Sequence, residues 1–207
     1  MRRIACATIS IFALALGLTG CKVQVDKDEK GQEKTVKVDT PFGGVHVDTD
    51  RTTAPDLGLP VYPGAKAVAD GDDQHKSADV NVGFGEWRLR VRTVSYESSD
   101  AREKIVPFYK KALAVYGEVL ACQDKAPIGK PTQTSGGLTC EEKSESKGKF
   151  ESGDMRITFD GFQLKAGSPR HQHIVSFKDG SKGVTRFEMV ALDLPSKSDK
   201  KQPAQSN

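Results

Sequence analysis

The chain has no strong excess of either charge, no CxxC pair, and no apolar run after Leu18 long enough to cross a bilayer. Each shortage excludes something. Near-neutrality removes the long-range field of a dedicated nucleic-acid binder. The wide cysteine spacing is wrong for a redox pair or a zinc knuckle. HExxH, GxSxG, the phosphate-cradling GxxxxGK[ST] loop and GxGxxG are also missing, so no cofactor is implied by motif. SxxK occurs from Ser144, Ser146 and Ser198, but in polar runs where serine and lysine are simply common. Hydrophobic residues are 36% and charged residues 29% of the sequence, which fits a modest core with polar extensions.

What the sequence does have stands at its start. Arg2 and Arg3 precede an apolar run from Ile4 to Leu18, and small residues then lead to a cysteine, Leu18-Thr19-Gly20-Cys21. This is the layout of an export signal; a transmembrane anchor is the alternative, although the run falls short of the ~20 residues that spanning needs. The segment resembles the lipobox of bacterial lipoproteins. That resemblance implies a signal peptide over 1–20, cleavage before Cys21, a diacylglycerol on its sulfur and usually an acyl group on the freed amine. Lys22, where retained enterobacterial lipoproteins carry aspartate, implies an outer-membrane address facing the periplasm. Loss of Arg2 and Arg3 would leave 29 basic against 28 acidic side chains.

In that setting Cys6 leaves with the signal and Cys21 carries lipid, so Cys122 and Cys140 remain for a disulfide in an oxidising compartment. Two free thiols are the alternative.

Residues 21–56 form a lipidated N-terminus and spacer. Val23/Val25, Val36/Val38 and Val45/Val47 recur in alternation, so this stretch is either flexible or a set of short strands. A globular domain is expected over 57–194, followed by a polar, disordered tail over 195–207. The opening Leu57-Gly58-Leu59-Pro60-Val61-Tyr62-Pro63-Gly64-Ala65, with Ser98-Ser99-Asp100 and Phe108-Tyr109 further on, resembles a domain of uncharacterised exported bacterial proteins and lipoproteins, which carries no established activity.

Alternation predicts a hairpin over Ala78–Tyr96, with Trp87, Leu89 and Val91 on one face and Arg88, Arg90 and Arg92 on the other. The arginine stripe either grips an anionic polymer or lipid, or pairs with carboxylates on neighbouring strands. A helix is expected from a Ser98 or Ser99 cap to Tyr116, with Pro107 on its polar side. Strands or strand ends are expected at Glu118–Cys122, Leu138–Glu142, Met155–Phe159, Phe162–Leu164, His173–Phe177 and Thr185–Leu192. One helix among these strands makes an α+β fold: an antiparallel sheet with the amphipathic helix on one face, stapled by one disulfide. Its expected core includes Trp87, Phe108, Tyr109, Tyr116, Phe159, Phe177 and Phe187.

His171 and His173, two apart, are candidate metal ligands with no visible third partner. Asp70, Asp72 and Asp73 do not match a calcium loop. The expected function is a membrane-anchored, non-catalytic envelope module binding a protein or an anionic polymer. An envelope enzyme acting on peptidoglycan, glycan or lipid, or a lipid or small-molecule carrier, is the alternative.

Overall fold

The computed structural model describes residues 22–27, 33–69, 75–141, 161–178 and 183–195. Residues 1–21 with Cys21, the aspartates at 70, 72 and 73, the segment of Met155, Ile157 and Phe159, the SxxK serines and the tail from 196 lie outside them.

The strands are β1 (Lys22–Lys27), β2 (Glu33–Thr40), β3 (Gly43–Thr49), β4 (Lys66–Ala67), β5 (Ser77–Phe84), β6 (Trp87–Ser98), β7 (Leu120–Gln123), β8 (Ala126–Pro127), β9 (Phe162–Ser168), β10 (His171–Lys178) and β11 (Thr185–Asp193). They form one sheet in the order β1-β2-β3-β5-β6-β11-β10-β9-β7-β8, with β4 pairing to β6. Every pairing is antiparallel. The valine repeats of residues 22–49 therefore belong to the sheet, and β3 pairs directly with β5. A short 3-10 turn over Ala54–Leu57 follows, and the buried Ala54 brings the main core forward of Leu57.

The one α-helix among the described residues, α1 (Arg102–Leu113), continues as a 3-10 turn over Ala114–Tyr116. Ile105, Tyr109 and Leu113, four apart, are fully buried, while Pro107 sits inside the helix on its exposed side. The N-cap is Ala101 rather than either serine. Ser98 is the last residue of β6, and its hydroxyl instead accepts the Asp100 N–H at 3.1 Å, holding the strand-to-helix corner.

β6 explains how one sheet serves two apolar surfaces. Trp87, Leu89 and Val91 have odd numbers, but Val94 and Tyr96 have even ones, so the apolar residues change face near Thr93 while the pairing stays continuous. On the helix side, Val94, Tyr96, Phe187, Met189, Val175, Phe177 and Leu164 form the main core with α1. On the reverse side, Val91, Ile174, Val190 and Leu192 make a second buried cluster. Arg88, Arg90 and Arg92 share a face with Val94 and Tyr96, beyond the reach of the helix.

Trp87 departs from its expected place in the core: it is 38% exposed at the end of a hairpin. Leu138–Cys140 is a loop rather than a strand, held by one isolated bridge between Gln133 and Thr139 and by the Cys122–Cys140 disulfide, with the Cα atoms 5.6 Å apart. That staple packs with Leu120 as a small separate cluster.

The loop from Leu57 to Ala65 is strapped along α1. The Tyr62 hydroxyl donates to Asp100 at 2.9 Å, the Tyr62 N–H donates to the Tyr109 hydroxyl at 3.2 Å, and the Tyr116 hydroxyl donates to the Gly58 carbonyl at 2.6 Å. Burial pushes the Tyr109 phenol well above its usual range, so it remains a neutral donor and acceptor.

Candidate functional site

Two concave regions lie on the helix-bearing side of the sheet. The first, of about 420 Å³, opens beyond the C-terminal end of α1 and is lined by Tyr116, Glu118, Thr134, Ser135, Ser168, His171 and His173, with glycines between them. The i, i+2 spacing of the histidines on β10 sends both rings to one side, as strand geometry requires.

The rings are held differently. His171 Nδ1 lies 2.9 Å from Asp193 Oδ1 across the β10–β11 pair, in an exposed position. The His173 ring stacks on Tyr116 with centroids 3.5 Å apart and bonds to the Leu57 backbone, leaving Nδ1 buried and unpartnered. Burial drives the His173 pKa below the ordinary histidine value, which keeps the imidazole neutral. Nearby, Glu118 accepts from the Ser135 N–H, and Ser135 holds its carboxyl below the usual range. The structure thus brings His171 and His173 to one pocket, but among the described residues no group of three His, Cys, Asp or Glu side chains is arranged to hold a metal.

The second region, of about 310 Å³, lies where the β2–β3 and β5–β6 hairpins turn. Gly44 and Gly83 pair across β3 and β5, and this side-chain-free patch is walled by Lys37, Asp39, His46, Asn81 and Arg88. Lys37 reaches Asp39 at 3.7 Å, and His46 Nε2 lies 2.8 Å from Asp48. Burial opposes ionisation of Asp48, but the Thr35 hydroxyl, His46 and Arg51 outweigh it and hold the carboxyl below its usual range.

The arginine stripe divides. Arg90 grips Asp79 with two bonds, Nε at 3.0 Å and Nη2 at 2.6 Å. Arg92 reaches Asp193 at 3.3 Å and also bonds the Asp56 carbonyl. Arg88, at the hairpin end, is exposed and lines the glycine-floored depression. Two of the three arginines thus bind carboxylates on neighbouring strands, and one faces an open polar hollow.

Sequence reasoning missed Tyr116, Glu118 and Ser135 as neighbours of the histidines, because the contacts bring residues 116–136 beside β10 through tertiary packing. The hollow beside Arg88 had a faint signal: Gly43-Gly44 and Gly83 lie in strands otherwise rich in alternating valine.

Compared with known proteins, the chain matches no family model, no curated protein and no solved structure.

Proposed function

We propose that the protein is a lipid-anchored lipoprotein of a bacterial cell envelope, attached through Cys21, whose folded part is a non-catalytic binding or interaction module. The observation that carries the exported setting is the Cys122–Cys140 disulfide, a bond that persists in oxidising compartments, in a chain opening with Leu18-Thr19-Gly20-Cys21. The outer membrane, facing the periplasm, is the address that Lys22 favours. A binding role is supported by the commitment of His173 to a ring stack and a backbone bond, and by open polar relief at the hairpin ends. Partners of this module are an envelope protein or an anionic polymer.

Replacing Cys21 by serine should leave the precursor uncut and unlabelled by a fatty-acid probe. Normal processing of Cys21→Ser would reject the reading.

A second reading has one observation in its favour. The Asp193–His171 pair borders a pocket that also holds Ser135 and Ser168, an arrangement of the kind that activates a hydroxyl. Covalent labelling by a fluorophosphonate, abolished in Ser168→Ala or Ser135→Ala and in His171→Gln, would favour an envelope hydrolase over a binding module.

A further inference from the structure

The register of the N-terminal strands fixes which end of the sheet sits beside the expected lipid. Lys22 pairs with Asp39, next to the β2–β3 turn. Across that turn Thr40 pairs with Gly43, Gly43 pairs with Phe84, and Phe84 pairs with Trp87 across the β5–β6 turn. All of these positions lie at one end of the sheet. The proposed attachment point, Cys21, is one peptide link from Lys22, ~3.8 Å between Cα atoms. Four strand spacings of ~4.8 Å separate β1 from β6, which keeps Trp87 within roughly 20 Å of the attachment point.

At this end the valine side of the sheet is apolar and the opposite face is charged. Phe42, at the tip of the β2–β3 turn, is 84% exposed, the highest value among the large apolar side chains described as exposed. Trp87 is 38% and Val23 60% exposed. Val23, Phe84 and Trp87 lie on the valine side of the sheet, and the Phe84 and Trp87 rings touch with centroids 6.1 Å apart. The pairing leaves no room at Gly43: a Cβ there would come within 2.4 Å of the Phe84 ring. Glycine at 43 thus leaves the Phe84 ring its place against the β3 backbone. Lys22 and Arg88 supply positive charge at the same end, which also carries the acidic Glu86 and Asp39, the latter 3.7 Å from the Lys37 amine.

We infer that this end of the sheet rests on the bilayer that holds the anchor, with Phe42, Phe84 and Trp87 in the boundary between headgroups and acyl chains and with Lys22 and Arg88 at phosphate level. Aromatic rings favour that boundary, and basic side chains beside them add attraction to anionic headgroups. The two or three acyl chains implied for Cys21 would retain the protein by themselves, so a second contact of this kind fixes the orientation of the folded part rather than its attachment. The inference rests on the lipoprotein reading. It departs from the spacer expected over 21–56, because the sheet starts one residue after the lipid and brings the folded part down to the membrane.

Trp87 is the only tryptophan in the sequence and reports directly. The full chain, processed and lipidated, is reconstituted in vesicles of phosphatidylethanolamine and phosphatidylglycerol, with brominated lipids as quenchers. The expected result is about twofold quenching of Trp87 emission by bromines placed near the headgroups, with less from bromines at the bilayer centre. Phe42→Ser should reduce that quenching, and a Trp87→Phe, Lys66→Trp variant, with its reporter exposed beside Glu97 at the opposite end of β6, should show none. If the protein floats with the vesicles but Trp87 ignores bromine, the docking is overturned while the anchor stands. Equal quenching at Lys66→Trp overturns it too, as does a Trp87 shift that follows protein concentration and marks a second copy on this end. Failure to float at all removes the lipid anchor and the docking with it.

Discussion

The two halves of the sheet are built from the same alternation and differ in what they pack against. In the half that includes β9, β10 and β11, Val175 and Met189 are fully buried, and Phe187 is 1% exposed beneath α1. In the half from β1 to β5, Val25 is 42% and Val23 60% exposed, and the helix makes its contacts with β9 and β10 instead. Alternation establishes which residues share a face, but a second layer decides whether that face becomes a core. The lesson is carried by β6, whose first half belongs to one surface and whose second half to another.

The sharpest way to break the comparison is to remove equivalent apolar groups on both sides. Phe187→Ala should lower unfolding stability by about 3–5 kcal/mol, the range for emptying an aromatic site in a closed core. Val25→Ala should stay within about 0.5 kcal/mol. Denaturant midpoints measure both, and comparable losses would mean that the N-terminal strands are as tightly packed as the helix-bearing half.

A smaller effect is expected at the edge beyond β9. Replacing Cys122 and Cys140 together by alanine should cost about 3 kcal/mol, since the bond closes a separation of 18 residues in the unfolded chain. The loss should appear equally when the wild type is unfolded under reducing conditions. A negligible loss would mean that the Leu138–Cys140 loop is held by its bridge and its contacts rather than by the staple.

Acid should weaken the fold through His173. His173 is held below its ordinary value of 6.5 by burial, so the unfolded chain binds the proton more readily than the folded one. The neutral ring's contribution is fully present above the unfolded value and is lost as pH falls through it toward the folded value. Urea midpoints should therefore fall on acidification from about pH 7.5 to 5, and less steeply in His173→Gln. The carboxylates of Asp48, Asp50 and Glu118, held below their own reference values of 3.8, 3.8 and 4.5, take over only in stronger acid. An unchanged slope in the variant would place the acid sensitivity elsewhere.

Much of the fold could be read from the residues. The 3- and 4-residue spacing of Ile105, Phe108, Tyr109 and Ala112 marks the helix, and β10 contains the alternating His173–Phe177, starting two residues earlier at His171. The disulfide follows from the cysteines left over once Cys6 and Cys21 are assigned. The phase reversal at Thr93 was not part of the expected hairpin, although apolar residues at 87, 89 and 91 are followed by ones at 94 and 96. The fate of Trp87 was not visible, because exposure depends on whether another layer reaches the hairpin end. The histidine pocket was legible only as a spacing of two. Its remaining walls arrive from residues 116–136, and no local pattern announces that meeting.

The three tyrosine bonds that lash the 57–65 loop to the helix have a mechanical consequence. They are spread over the full length of the helix, near its beginning, middle and end, so the helix has no free terminus from which to peel while the loop stays in place. Loop and helix must let go as one block. Amide protons along both should then exchange with solvent at a common slow rate, although one of the two segments contains no regular secondary structure beyond a single turn.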